Sequence, residues 1–321
     1  MTQAERNPFP YSDTNKRYHT YDYYLRSTFG AKVAKLPIDG GFTCPNLDGT
    51  CGTGGCIYCS GRGSGDFAQS ACLSVAEQIR LQKEQYAKKW DVSKCIAYFQ
   101  AHTNTYAPVS VLRAQFEEAL AQDGIVGLNI ATRADCLPPD VLELLAELAE
   151  RTVLTVELGL QSSSDRTAAD IRRGHTFAQF CEGVAALRKA SPRIQICAHV
   201  IFGLPNETET DMLQTIKDLL PLGIEQIKLH LLHVLKNTTL AHRYERGEYT
   251  PMSREDYIRT VVSALELLPP ETVIGRLTGD GAKDELLAPL WSLKKTTVLN
   301  DIDKLLYERD TFQGARVEKN M

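Results

Sequence analysis

Residues 126–161 read VGLNIATRADCLPPDVLELLAELAERTVLTVELGLQ. A run rich in branched side chains, VGLNIAT (126–132), is followed after Pro138 and Pro139 by a stretch whose leucines and valine fall at 141, 144, 145 and 148, the spacing of one helix face. A second apolar run, LTVELGLQ (154–161), closes the unit. Strand, helix and strand in this order build a parallel sheet, because a parallel pair needs a long crossover between its members.

The alternation continues in both directions. Further strands are expected in KVAKLPID (32–39), CIAYFQ (95–100), IQICAHVIFG (194–203) and QIKLHLLHVL (226–235). The amphipathic stretches between them are SVAEQIRLQKEQYAKKW, SVLRAQFEEALAQ, PDVLELLAELAE, HTFAQFCEGVAALRKA and TETDMLQTIKDLLPLG. Six alternations without G-x-G-x-x-G after the first strand point to a barrel-like βα array rather than a dinucleotide-binding sheet. Residues 1–25, with RYHTYDYYLR at their end, read as an extended arm; 26–250 form the core, and 251–321 a helical extension packed on it.

The chain has 321 residues, 43% hydrophobic and 24% charged, enough to bury a sizeable core. No apolar run is long enough to span a bilayer or to serve as a secretory signal, so a cytoplasmic protein without a membrane partner is expected. A net charge of -4 argues against a protein that grips nucleic acid over its whole surface and leaves room for a local basic patch. Nine cysteines in such a chain indicate metal or redox chemistry before disulfides.

In a βα array the chemistry sits where strands end, and polar residues fall there: Gln100 and His102, Thr132 and Arg133, Gln161 and Ser162, Asn206, Lys236 and Asn237. After the first strand comes CPNLDGTCGTGGCIYCS (44–60), with Cys44, Cys51, Cys56 and Cys59. Its glycines let the backbone wrap closely around a metal centre, and two residues between Cys56 and Cys59 place both sulfurs on one metal or cluster. Four thiolates would close a structural zinc site, whereas three would leave one iron of a [4Fe-4S] cluster open. The surrounding array favours the cluster over zinc. Cys72, Cys95, Cys136, Cys181 and Cys197, in apolar or helical contexts, read as core residues.

The Cys44, Cys56, Cys59 spacing, with Tyr58 before the last cysteine, resembles the radical S-adenosylmethionine (SAM) superfamily in its elongator-catalytic-subunit-like branch. More narrowly, CPNLDGT, GTGGCIYCS, YFQAHTNTY, ATRADCLP, VELGLQS followed by RRGH, HVIFGLP, IKLHLLHVLKNT and RLTGD with WSLKK are similar to the YtqA/YhcC-type subgroup. The resemblance runs from about Tyr18 to Gln313.

The resemblance implies a partial (β/α)6 TIM-like barrel, class α/β, with a helical C-terminal extension. It implies that Cys44, Cys56 and Cys59 ligate three irons of a [4Fe-4S] cluster, that SAM chelates the fourth, and that one-electron reduction by a donor such as flavodoxin or ferredoxin gives a 5'-deoxyadenosyl radical. Cys51 stands where the family pattern requires no ligand and reads as a bystander. By the same resemblance, the backbone near Tyr58 meets the adenine, and Gln100, Thr103 and Asn104 meet the SAM amino group. Gln161 and Arg173 then meet its ribose and carboxylate. Related enzymes carry a glutamate where this chain has Ala131 and Thr132, and an aspartate where it has His199, so Arg133 and Glu157 are the expected substitutes.

His230, His233 and Lys236, at the end of the sixth apolar run, suit an anionic substrate. The subgroup is associated with tRNA wobble-uridine modification, the conversion of 5-carboxymethylaminomethyl-2-thiouridine toward the aminomethyl form. Arg276, Lys294, Lys295 and Trp291 are candidate RNA contacts. Two other readings stay open: a haem chaperone of the coproporphyrinogen-oxidase-like kind, and a zinc-stabilised binding module.

Overall fold

The computed structural model describes residues 7, 9–63, 68–90, 92–279 and 283–317. Its elements are α1 (Tyr21–Phe29), β1 (Ala34–Ile38), α2 (Val75–Ala87), β2 (Cys95–Phe99), α3 (Val109–Leu120), β3 (Ile125–Thr132), α4 (Pro139–Ala149), β4 (Val153–Gln161), α5 (Asp165–Asp170), α6 (Phe177–Ala190), β5 (Gln195–Phe202), α7 (Glu209–Leu219), β6 (Gln226–Leu231), β7 (Val234–Leu235), α8 (Thr239–Glu245), α9 (Arg254–Leu267), β8 (Val273–Arg276), β9 (Leu286–Ala288) and α10 (Lys295–Glu308). Strand order in the main sheet is β1-β2-β3-β4-β5-β6-β8. The chain divides into two compact units, one of residues 25–160 and 172–197, the other of 1–24, 161–171 and 198–321.

In the first unit β1 to β4 pair in parallel, with Leu36 opposite Ala97, Tyr98 opposite Asn129 and Ala131 opposite Glu157. All five residues of β2 are buried, as are the last six of β3, the burial expected of parallel strands covered on both faces. Helix α4 turns Val141, Leu144, Leu145, Leu148 and Ala149 inward, the 3-4 spacing seen in its sequence. Helix α2 starts on Ser74, whose hydroxyl accepts from the Glu77 N–H, and α6 starts on a reciprocal Thr176–Gln179 capping box. Phe116 of α3 meets Phe99 of β2 edge-on at 5.0 Å, and both are wholly buried.

In the second unit the structure departs from the sequence reading in three places. The run QIKLHLLHVL is not one strand. It ends at Leu231, where the Leu232 N–H turns to the Phe202 carbonyl oxygen, and Val234–Leu235 pairs antiparallel with β9 in a separate ribbon. TVIGRL, expected in the helical extension, supplies β8, which pairs in parallel with β6 and widens the sheet to seven strands. The arm is not extended throughout, since YDYYLRSTF forms α1. The segment just before it is pinned through Gln313, whose Oε1 accepts from the His19 N–H at 2.8 Å while its Nε2 donates to the Pro269 and Thr272 carbonyls. The Ile274 N–H also donates to the His19 carbonyl oxygen at 2.8 Å. Among the described residues no helix is long and apolar enough to cross a membrane.

Phe116→Ala removes a wholly buried ring from the α3–β2 contact. Its stability in denaturant unfolding is expected to fall by about 3–5 kcal/mol; an unchanged midpoint would show that the contact carries little of the fold.

Candidate active site

Parallel pairing brings the loops that follow β1, β2 and β3 together, and backbone hydrogen bonds join them in sequence. The Gln100 N–H donates to Ile38 O, the Thr103 N–H to Thr43 O and the Asn104 N–H to Ala131 O. Asn104, wholly buried, also donates its side-chain amide to Ala101 O (3.0 Å) and Ala131 O (2.8 Å). Its Oδ1 is a buried acceptor with no hydrogen-bond partner among the described residues.

The loop after β1 is a compact coil. The Cys44 carbonyl accepts from the N–H groups of Leu47 and Asp48, the Pro45 carbonyl from those of Cys51 and Gly52, and the Asn46 carbonyl from that of Gly55. Gly54 and Gly55 are both left-handed, with φ of 79° and 74°, and this pair of turns brings Cys56 back toward the start of the loop. Cys56 is buried, Cys44 and Cys59 are partly exposed, and Cys51 is exposed. Despite its burial, the Cys56 thiol is pulled well below its ordinary value by a hydrogen bond with Cys59, aided by the Arg173 charge and the Asn46 and Tyr58 donors. That bond, together with burial, pushes Cys59 up, and burial beside the two sulfurs raises the Tyr58 hydroxyl.

Behind the cysteines lies the turn Arg172–Arg173–Gly174. Arg172 and Gly174 are left-handed, at φ 54° and 79°. Asn46 Nδ2 donates to the carbonyls of Arg172 and Arg173 at 2.9 Å each. Arg133 donates to those of Arg173 (2.8 Å) and Gly174 (3.1 Å), while Asp135 grips the same guanidinium through both oxygens at 2.9 and 2.7 Å. Burial opposes the Arg133 charge, but Asp135 outweighs it and raises the Arg133 pKa. Arg173 and His175 both turn to the Gly159 carbonyl oxygen. Burial, reinforced by the Arg173 charge, lowers His175 to about 4. Glu157, wholly buried as a side chain, is held by Lys35 at 3.0 Å and by Asn129 at 2.7 Å, with the Lys35 ammonium 4.3 Å from the Tyr98 ring centre.

The structure therefore gathers Cys44, Cys56, Cys59, Tyr58, Thr103, Asn104, Arg133 and Arg173 around strand ends of the first unit. Arg133 and Glu157, expected to meet SAM, spend these hydrogen bonds on Asp135 and the 173–174 carbonyls, and on Lys35 and Asn129. Gln161, His230, His233 and Lys236 belong to the other unit. There Gln161 is left-handed (φ 76°), and its buried Oε1 has no hydrogen-bond partner among the described residues. His230 stands 5.2 Å from His199 between ring centres, His233 lies in the break between β6 and β7, and exposed Lys236 donates to the Asp284 carbonyl. Trp291, expected to stack on a base, packs instead on Tyr257 and donates to Met252 O. Sequence reasoning gives no role to Asn46, Asp135, His175 or Lys35. The signal for Asn46 is an amide inside a cysteine loop, and for Lys35 a lone cation inside an apolar strand.

Residues 49–219 match the radical SAM superfamily model and residues 224–308 the Radical_SAM C-terminal domain model. The chain belongs to the radical SAM superfamily, whose cofactors are a [4Fe-4S] cluster and SAM. Within it the chain is 50% identical over 310 residues to the uncharacterized protein YtqA of Bacillus subtilis, covering 97% of this chain and 96% of that one, and it is of the YtqA/YhcC type. Over 102 residues it is 40% identical to a tRNA-2-methylthio-N(6)-dimethylallyladenosine synthase of Geobacter metallireducens, covering 31% of this chain and 22% of that one. The solved structure of the archaeal Methanocaldococcus infernus Elp3 with an N-terminal deletion superposes with a TM-score of 0.66 at 17% identity, over 88% of this chain and 64% of that one. The fold class is thus the α/β partial barrel of the superfamily.

A histidine whose folded pKa lies below its ordinary value near 6.5 binds its proton more tightly when unfolded, so its stability contribution is full above pH 6.5 and is lost as pH falls toward 4. His175→Gln is expected to flatten that part of the apoprotein's stability–pH curve; identical slopes in both proteins would remove His175 from the account.

Proposed function

We propose that Cys44, Cys56 and Cys59 hold the [4Fe-4S] cluster and that the enzyme acts on a modified wobble uridine of tRNA. The observation that carries the ligand assignment is the arrangement at Cys56: a buried sulfur, hydrogen-bonded to Cys59 and to Asn46, beside the Arg173 charge. Thiolate ligands need their negative charge stabilised in a dry site, and these neighbours do so. The donor set fits the group. Three sulfurs leave a fourth position for SAM, Cys51 is exposed, and the unpartnered Asn104 Oδ1 offers a buried acceptor next to the loop for an amino group.

When bound, the cluster and SAM supply a carbon radical able to remove hydrogen from an unactivated carbon. The chain's own groups do the rest. Thr103 and Asn104, fixed by the backbone bonds to Thr43 and Ala131, orient SAM, with Tyr58 and Gln100 beside them. The hydrogen bonds from Arg133, itself held by Asp135, to the 173–174 carbonyls keep Arg173 in place. In the other unit we assign Gln161 to SAM, and His230, His233 and Lys236 to the substrate carboxylate. An external one-electron donor, flavodoxin or ferredoxin in kind, completes the requirement.

The tRNA assignment is supported by the local likeness to the tRNA-2-methylthio-N(6)-dimethylallyladenosine synthase and by the subgroup resemblance of the motifs. Within it we favour conversion of 5-carboxymethylaminomethyl-2-thiouridine, whose carboxylate the histidines suit, toward the aminomethyl nucleoside. After anaerobic loading with iron and sulfide, dithionite and SAM should yield 5'-deoxyadenosine, and tRNA carrying that nucleoside should yield the aminomethyl product in a nuclease digest. Cys56→Ala should lose iron and turnover together, because the cluster carries the chemistry, whereas Cys51→Ala should keep both. Full iron loading of Cys56→Ala would overturn the ligand set; 5'-deoxyadenosine without any change in the tRNA would overturn the substrate.

A further inference from the structure

Asn46 sits two residues after Cys44 and is 3% exposed. Its Nδ2 lies within hydrogen-bonding distance of three acceptors: the carbonyls of Arg172 and Arg173, and the Cys56 sulfur at 3.4 Å. An amide has two N–H bonds, so one hydrogen is shared, and the sulfur competes with a carbonyl for it. The Oδ1 end occupies space that only a glycine leaves: a Cβ on Gly174 would fall 2.3 Å from it. The side chain is thereby fixed at both ends, in one rotamer, with its donor aimed at Cys56.

We propose that Asn46 is a positioning residue that fixes the Cys56 sulfur against the 172–174 turn and, through its N–H···S contact, raises the reduction potential of the cluster. The inference rests on the assignment of Cys56 as a ligand. Reduction adds one negative charge that the cluster shares with its thiolates, so a donor aimed at one of them binds the reduced state more strongly than the oxidised one. Tyr58 and Arg173 act on the same sulfur, and in an Asn46 variant Arg133 still supplies two of the turn's four hydrogen bonds, so a comparison with the unaltered protein reads the loss of the Asn46 contacts. A role confined to tying the loop down would cost stability and leave the potential where it was.

The test is a redox titration of the full chain, anaerobically loaded and without SAM, followed by the spectrum of the reduced cluster, for Asn46→Ala and Asn46→Leu. Asn46→Leu keeps about the size of the side chain and removes the donor without adding a charge, so it reports on the potential even where the alanine variant folds poorly. Both variants are expected to carry the wild-type iron content. At the wild-type midpoint their reduced-to-oxidised ratio should be lower by about tenfold, which is 59 mV for a one-electron couple. Asn46→Ala apoprotein should also unfold at a lower temperature. Fully loaded variants that titrate at the wild-type potential would overturn the inference while leaving the ligand set intact. Failure of the wild-type chain itself to take up iron would overturn the ligand set, and this inference with it.

Discussion

The left-handed turn at Arg172–Gly174 is the constraint on which the candidate site depends. Two of its three residues have positive φ, and one of them, Arg172, carries a side chain that disfavours this conformation by about 1–3 kcal/mol. The turn persists because its carbonyls, facing the interior, receive four hydrogen bonds from outside it, two from Asn46 and two from Arg133. These donors come from the loop after β1 and the loop after β3, so satisfying one strained turn fixes three segments together. Asp135 completes the arrangement by neutralising Arg133, and the Thr176–Gln179 capping box starts α6 directly behind it. Cysteine geometry is downstream of this: Asn46, held by the turn, is what touches Cys56.

A second set of polar groups lies among the strands themselves. Lys35, Asn129 and Glu157 form a connected cluster on β1, β3 and β4, with Lys35 also against Tyr98 of β2. An ion pair placed inside a sheet adds little net stability, because desolvation offsets the attraction, but it costs a great deal to break once formed. Its effect here is to fix which residues of β1 and β4 face one another. A one-residue slip of either strand would point Lys35 or Glu157 into apolar packing.

Much of this was legible beforehand, and the reasons are local. The βα alternation follows from apolar periodicity, and β1, β2, β5 and β6 fall inside the expected runs, with β3 and β4 beginning one residue before theirs, because buried parallel strands are written as continuous branched segments. The cysteine loop is legible because four cysteines and several glycines in seventeen residues have few other uses. What escaped reading depends on distant partners. QIKLHLLHVL is apolar throughout, and only its pairing with β9 and the Leu232–Phe202 bond show where it breaks. TVIGRL is too short to declare itself a strand without β6 beside it. Arg133 and Glu157 look available from sequence, since nothing along the chain reveals that Asp135 and the 173–174 carbonyls, or Lys35 and Asn129, engage them.

The Asn46 contacts also bear on how this site can drift over evolutionary time. Every acceptor it meets in the turn is a main-chain oxygen, so this contact does not itself depend on the side chains of residues 172 and 173. Gly174 is different: any side chain there collides with Asn46. The coupling between the cysteine loop and the turn is thus written in the sequence as a single paired constraint, 46 with 174: a side chain at the second position displaces the amide at the first.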